Sequence, residues 1–175
     1  MRWADKVWAQ KTLAVKQNKS GNGRAKRMTT EQCWQNFLQE TGRSAETRYL
    51  ECFHFDNNEH SANALLALVL SGRKRATASS LYAFPEGQGP KPGDLSIVTD
   101  WAGDPHCVIE TRAVTILPFR EMTFEICSRE GEDECLETWQ EGHRRFFTQD
   151  SEEMGYAFTE DMPVIFEDFE VVYQD

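Results

Sequence analysis

Residues 64–80 read ALLALVLSGRKRATASS. An apolar run stops at Ser71-Gly72, three consecutive basic side chains follow, and a stretch of small and hydroxyl residues begins. The apolar run belongs to NNEHSANALLALVLSG (57–72), which reads as a helix capped by Asn58 or Ser61 and stopped by Gly72. It is apolar on nearly every face, so burial is expected. After Gly72 the period becomes strand-like, and ATASSLYAF (76–84) is compatible with a strand. Everything said about function turns on what Arg73, Lys74 and Arg75 do at this helix-to-strand junction.

Working outward, EQCWQNFLQETG (31–42) predicts a helix capped by Thr30 and stopped by Gly42, with Trp34, Phe37 and Leu38 at helical spacing. ETRYLECFHF (46–55) reads as a strand or extended segment. PEGQGPKPGD (85–94) is a Pro/Gly loop. Strands LSIVTD (95–100) and CVIETRAVTILPF (107–119) follow, joined by the hairpin turn WAGDPH. TFEICSREGEDECLETWQEGHRRFF (123–147) reads as a short helix, an acidic turn at 130–134, and a longer helix with Trp139, His143 and Phe147 on one face. MPVIFEDFEVVY (162–173) supplies one or two closing strands. The body is therefore α+β: a small, mostly antiparallel barrel with helices packed around it.

The 175 residues carry a net charge of −10, distributed unevenly. Residues 1–27 hold eight of the 19 Lys and Arg and one of the 29 acids, a balance of +7, leaving −17 for the rest. The chain divides into a basic, flexible leader, 1–28, and one folded domain, 29–175. No apolar run approaches the roughly 20 residues of a membrane span, and the N-terminus has no secretory pattern. Five cysteines without a CxxC pair suit reduced thiols and a cytoplasmic setting. No metal site is expected, because H-E-x-x-H and paired cysteines are missing. SGRKRAT also lacks phosphate-loop spacing, and no cofactor is expected.

Lys74 has two readings: an answer to the negative end of the helix dipole, or a desolvated amine in a cleft able to take the proton of a hydroxyl. Thr77 converges with it only if 72–75 is a turn, because residues three apart in a strand point to opposite faces. An activated threonine beside a lysine base suits acyl transfer. His143 either packs on Trp139 or acts as a general acid/base in RNA cleavage. Glu110, on a strand, needs Lys or Arg for company if buried. Tyr82, Phe84 and Trp101 are candidates for stacking on a base or for packing.

Four segments in order resemble the ASCH domain family, in particular its longer bacterial branch, whose fold is related to the PUA RNA-binding barrels: GRKRAT (72–77), KPGDLSIV (91–98), REGED (129–133) with LETWQEGHRRFF (136–147), and DMPVIFEDFEVVY (161–173). The resemblance implies a PUA-like barrel whose cleft near the GxKxxT turn takes RNA or a nucleoside. Some short members are amidohydrolases acting on an acylated cytidine; others are associated with RNA cleavage. By motif, the implied catalytic residues are Lys74, Thr77 and Glu130, with no metal. Arg73, Lys74, Arg75, Ser79, Tyr82 and His143 are the expected nucleotide contacts. The 130–160 insertion, and Ser79 where short members often have arginine, are departures that bear on substrate. A non-catalytic RNA-binding module and a ribonuclease remain as alternatives.

Overall fold

A computed structural model describes residues 27–175; most of the basic leader lies outside the described residues. Helix α1 (Thr30–Thr41) starts one residue before the expected position, with Thr29 as its cap. Thr29 and Gln32 satisfy each other's backbone N–H groups reciprocally, and Gly42 ends the helix at φ +66°. Only Glu51–Phe53 of the expected 46–55 strand pairs, forming β1. Helix α2 (Glu59–Leu70) is capped by Asn58. It buries one face, Ala62, Leu66 and Val69, while Ala64 and Ala67 are exposed. The expectation of burial on all sides is corrected here: small alanines face solvent at little cost.

Strand β2 (Ala76–Ser80) follows the turn, then a single 3-10 turn at Leu81–Ala83. Strands β3 (Leu95–Thr99) and β4 (Pro105–Pro118) form the expected hairpin. The short helix α3 (Phe124–Cys127) and the long helix α4 (Leu136–Met154) flank the acidic turn. One closing strand, β5 (Pro163–Gln174), ends the domain.

The sheet order is β1-β3-β4-β5-β2. All pairs are antiparallel except β1–β3, and the sheet curls into a half-barrel with β1 and β2 at its edges. The expected α+β barrel-like fold is present. Helix α1 covers Leu95, Ile97, Val108 and Tyr173; α2 covers Val98, Cys107, Ile109 and Phe169. Helix α4 lays Trp139 and Phe147 on Ala76, Ala78, Val164 and Phe166, with Phe119 stacked on Trp139 at 5.5 Å. A fully buried aromatic contributes about 2–3 kcal/mol through apolar burial, so α4 is fixed by Trp139 and Phe147 on the face predicted from their spacing.

Glu167 on β5 stands opposite Thr77 of β2 and Val114 of β4. Its Oε1 accepts the Thr111 hydroxyl at 2.6 Å. Burial, reinforced by Glu51, Asp94 and Asp168, outweighs that bond and pushes its carboxyl up from 4.5 to about 7. The native state therefore binds this proton more tightly than the unfolded chain. The associated stability is present below the unfolded value and is lost as pH rises through about 7. Glu167→Gln should gain about 2 kcal/mol on the wild type between about pH 5 and about pH 8 in urea titrations. A constant difference across that window would contradict the assignment.

Candidate functional site

Helix α2 ends in a turn that aims one basic residue inward. Gly72 takes φ +73°, which a side chain would strain. The N–H groups of Arg73 and Lys74 both donate to Leu68 O, at 2.9 and 3.0 Å. Alternation then leaves Arg73 and Arg75 exposed and Lys74 2% exposed. The acidic turn locks onto this segment. Arg75 N donates to Arg129 O at 3.0 Å. Gly131, at φ +72°, lies so close to the Arg73 backbone that a Cβ there would stand 2.4 Å from Arg73 O. Only glycine permits that approach.

This lock delivers two carboxylates to one ammonium. Lys74 Nζ donates to Glu130 Oε1 at 3.3 Å and to Glu132 Oε1, and it sits 5.1 Å from the centre of the Phe55 ring. Glu130 is 2% exposed and fully engaged. Its Oε1 also accepts Ala78 N–H at 2.9 Å, from the free edge of β2. Its Oε2 accepts the Trp139 indole N–H and lies 3.5 Å from His143 Nε2. His143 stacks on Trp139 with ring centres 3.9 Å apart and donates from Nδ1 to Trp139 O at 3.0 Å.

The two acids are split by their surroundings. Burial alone would raise Glu130, but Lys74, His143 and the indole outweigh it and hold the carboxyl below its ordinary value. For Glu132, burial outweighs Lys74, and the neighbouring Glu130 adds to it, so this carboxyl is pushed up. Glu130 is thus the anion that keeps Lys74 in place, and Glu132 the acid that more readily carries a proton.

A cavity of about 260 Å³ opens beside the triad, lined by Phe55, Asp56, Leu65, Lys74, Thr77, Ala78, Glu130, Glu132, Asp133, Gly142, His143, Arg145 and Phe146. It occupies the gap between the sheet edges: Phe55 and Asp56 follow β1, and Thr77 and Ala78 belong to β2. Asp56 holds φ +55°, a left-handed backbone state that aspartate tolerates through local side-chain hydrogen bonds. Its carboxylate accepts Asn57 N–H at 2.6 Å and the Asn58 amide at 3.2 Å.

Lys74, Thr77, Glu130 and His143 therefore share one pocket. Lys74 spends its hydrogen bonds on the two glutamates and makes none with Thr77. Arg73, Arg75, Ser79 and Tyr82 are outside the lining; Tyr82 is 47% exposed and packs against Tyr156 at 5.6 Å. Trp101 lies against His54 at 4.8 Å. Glu110 has the cationic company its burial requires, Arg43 and Arg112. Sequence reasoning missed Glu132, Asp56, Phe146 and Arg145. The available signal for Glu132 was its place two residues from Glu130 across a glycine.

The ASCH domain model matches residues 51–173. The chain belongs to the ASCH domain family. An ASCH domain structure from Lactobacillus crispatus JV V101 is 32% identical, with a TM-score of 0.75 over 82% of this chain and 94% of that one. A protein from Enterococcus faecalis V583 is likewise 32% identical, with a TM-score of 0.76 over 84% of this chain and 94% of that one. Among curated proteins none matches the chain. Within this ASCH domain, no described helix is long and apolar enough to cross a membrane. Among the described residues no group of three or more His, Cys, Asp and Glu is arranged to hold a metal ion.

Glu130→Gln should cost about 3–5 kcal/mol, because it leaves Lys74 short of its anion and turns an amide toward the Trp139 N–H or the ammonium. Glu132→Gln, partly solvated and already inclined to protonation, should cost about 1 kcal/mol or less. Urea titrations near neutral pH check both. Equal costs would contradict the division of labour.

Proposed function

We propose that this ASCH domain recognises a single modified nucleoside and hydrolyses an amide on it, an N4-acylated cytidine being the test substrate. The observation that carries the reading is the convergence of Lys74, Thr77 and Glu132 on a cavity of about 260 Å³. That volume lies near the lower end of small-ligand pockets, about 300–1,000 Å³, and suits one nucleoside better than an oligonucleotide. Phe55 and Phe146 offer apolar walls for a base. The negative body supports a small ligand over a long phosphate backbone.

In this reading Lys74 hands a proton to Glu132 within their existing contact, giving an amine and a carboxylic acid. Lys74 then turns from Glu130 toward Thr77 and takes its hydroxyl proton as Thr77 Oγ1 attacks the amide carbon. Glu132 gives its proton to the leaving nitrogen as the C–N bond breaks. Water attacks the resulting ester and passes its proton to Glu132, while Thr77 recovers a proton from Lys74. Glu132 then returns its proton to Lys74, which restores the starting ion pair. Glu130 is a positioning residue throughout, and His143 braces it. Glu132 thus takes the acid role in this reading, while Glu130, the glutamate that the family motif implies, positions Lys74.

A second reading, RNA binding without chemistry, draws on the exposed Arg73 and Arg75 and on the association of PUA-like folds with RNA. Hydrolysis of N4-acetylcytidine and binding of labelled single-stranded RNA, measured side by side, separate the two. The hydrolase reading expects turnover that falls about 100-fold or more in Thr77→Ala and Glu132→Gln, with both variants folded by circular dichroism. No turnover, with salt-dependent RNA affinity weakened by Arg73→Ala and Arg75→Ala, would overturn it.

A further inference from the structure

The far half of β4 presents a bare strand edge. Strand β3 pairs with β4 only through Glu110, and the last contacts on that side are those of Thr111, which exchanges backbone bonds with Asp94 O and Gly93 N at 2.9 Å each. A bulge at Arg112 follows, and β5 alone accompanies Ala113–Pro118. The direction of the backbone groups follows from the hydrogen bonds of the neighbouring strands. Phe169 N donates to Arg75 O, so odd-numbered residues in this part of β5 face β2 and even-numbered ones face β4. Phe166 therefore bonds Thr115, its register partner. Val114 and Ile116 must then turn their N–H and C=O groups outward.

Between the bulge at Arg112 and Pro118, no charge or described segment covers this edge. No charge occurs from Ala113 through Phe119, in a chain that is 27% charged. Proline comes only at the strand's end. Ile116 is 57% exposed, the highest among the exposed large hydrophobic residues. Uncharged edges with unpaired backbone groups are templates for another strand.

We propose that this edge pairs with the same edge of a second copy, antiparallel about a two-fold axis at Thr115. The strand is close to palindromic in what matters. Val114 of one copy lies opposite Ile116 of the other, so each outward N–H meets an outward C=O, with a pair of hydrogen bonds at each contact. Both contacts place β-branched residues side by side on one face. The bulge at Arg112 limits the pairing to this segment and fixes its register. Paired copies carry a net charge of −10 each, so salt strengthens their association.

At the axis, Thr115 meets its own copy as a non-hydrogen-bonded pair, with Cα atoms about 4.5 Å apart, within reach of a disulfide. Ala113 would stand about 13 Å from its copy, far outside that reach. Both positions are exposed, so neither substitution disturbs the core. Full-length Thr115→Cys is expected to form a cross-linked dimer under mild oxidation, at least ten times faster than Ala113→Cys or the parent with its five cysteines. The wild type is expected to double its mass in sedimentation as concentration and salt rise, and Ile116→Lys to remain monomeric. A wild type that stays monomeric up to about 1 mM, as it would if another protein's strand were the occupant, would overturn the proposal. Equal cross-linking of Thr115→Cys and Ala113→Cys, or an unchanged Ile116→Lys dimer, would do so as well.

Discussion

A lysine ammonium that is 2% exposed must have an anion at hand, and Glu130 is that anion. The pair joins segments 56 residues apart. It ties the helix-to-strand turn to the acidic turn, and through the Trp139 indole to α4. Breaking such a pair is costly because the survivor is left charged and dry. Glu130 also satisfies a backbone donor at the open edge of β2, a position that would otherwise need water or another strand. One carboxylate therefore closes the sheet edge, anchors the long helix and holds the lysine at the pocket wall.

The second carboxylate gives the arrangement chemical interest. If Lys74 needed only a counterion, Glu130 would suffice. Glu132 adds a group on the solvent side whose burial and neighbour favour the protonated form. Two acids in unlike surroundings on one lysine are pushed to opposite sides of the ordinary carboxylate value, and the proposed proton transfers rest on that division.

Much of this was legible in the sequence. The change of period at Gly72 marks the junction, and the four-residue spacing of Trp139, His143 and Phe147 marks the buried face of α4. The GRKRAT turn and the acidic turn are local signals that the family resemblance orders. The rest depends on contacts that no local pattern reports. Glu130 and Glu132 are adjacent acids of one acidic run; only the close packing of Gly131 on Arg73 turns both toward Lys74. Arg73, Lys74 and Arg75 look equivalent in sequence, yet alternation buries the middle one. Helix α2 reads as apolar all round because alanine counts as hydrophobic, although Ala64 and Ala67 lie at the surface. The bare edge of β4 follows from where β3 stops, a property of the whole sheet.

The most direct test of the central claim is a carboxyl carbon-13 titration of the two glutamates, assigned with Glu130→Gln and Glu132→Gln. The account predicts that Glu130 stays ionised to below the ordinary glutamate range of about 4.3, while Glu132 titrates above it. The reverse order, or two ordinary titrations, would mean that Lys74 is held by a simple surface-like ion pair and that the pocket lacks the divided acids on which the functional reading rests.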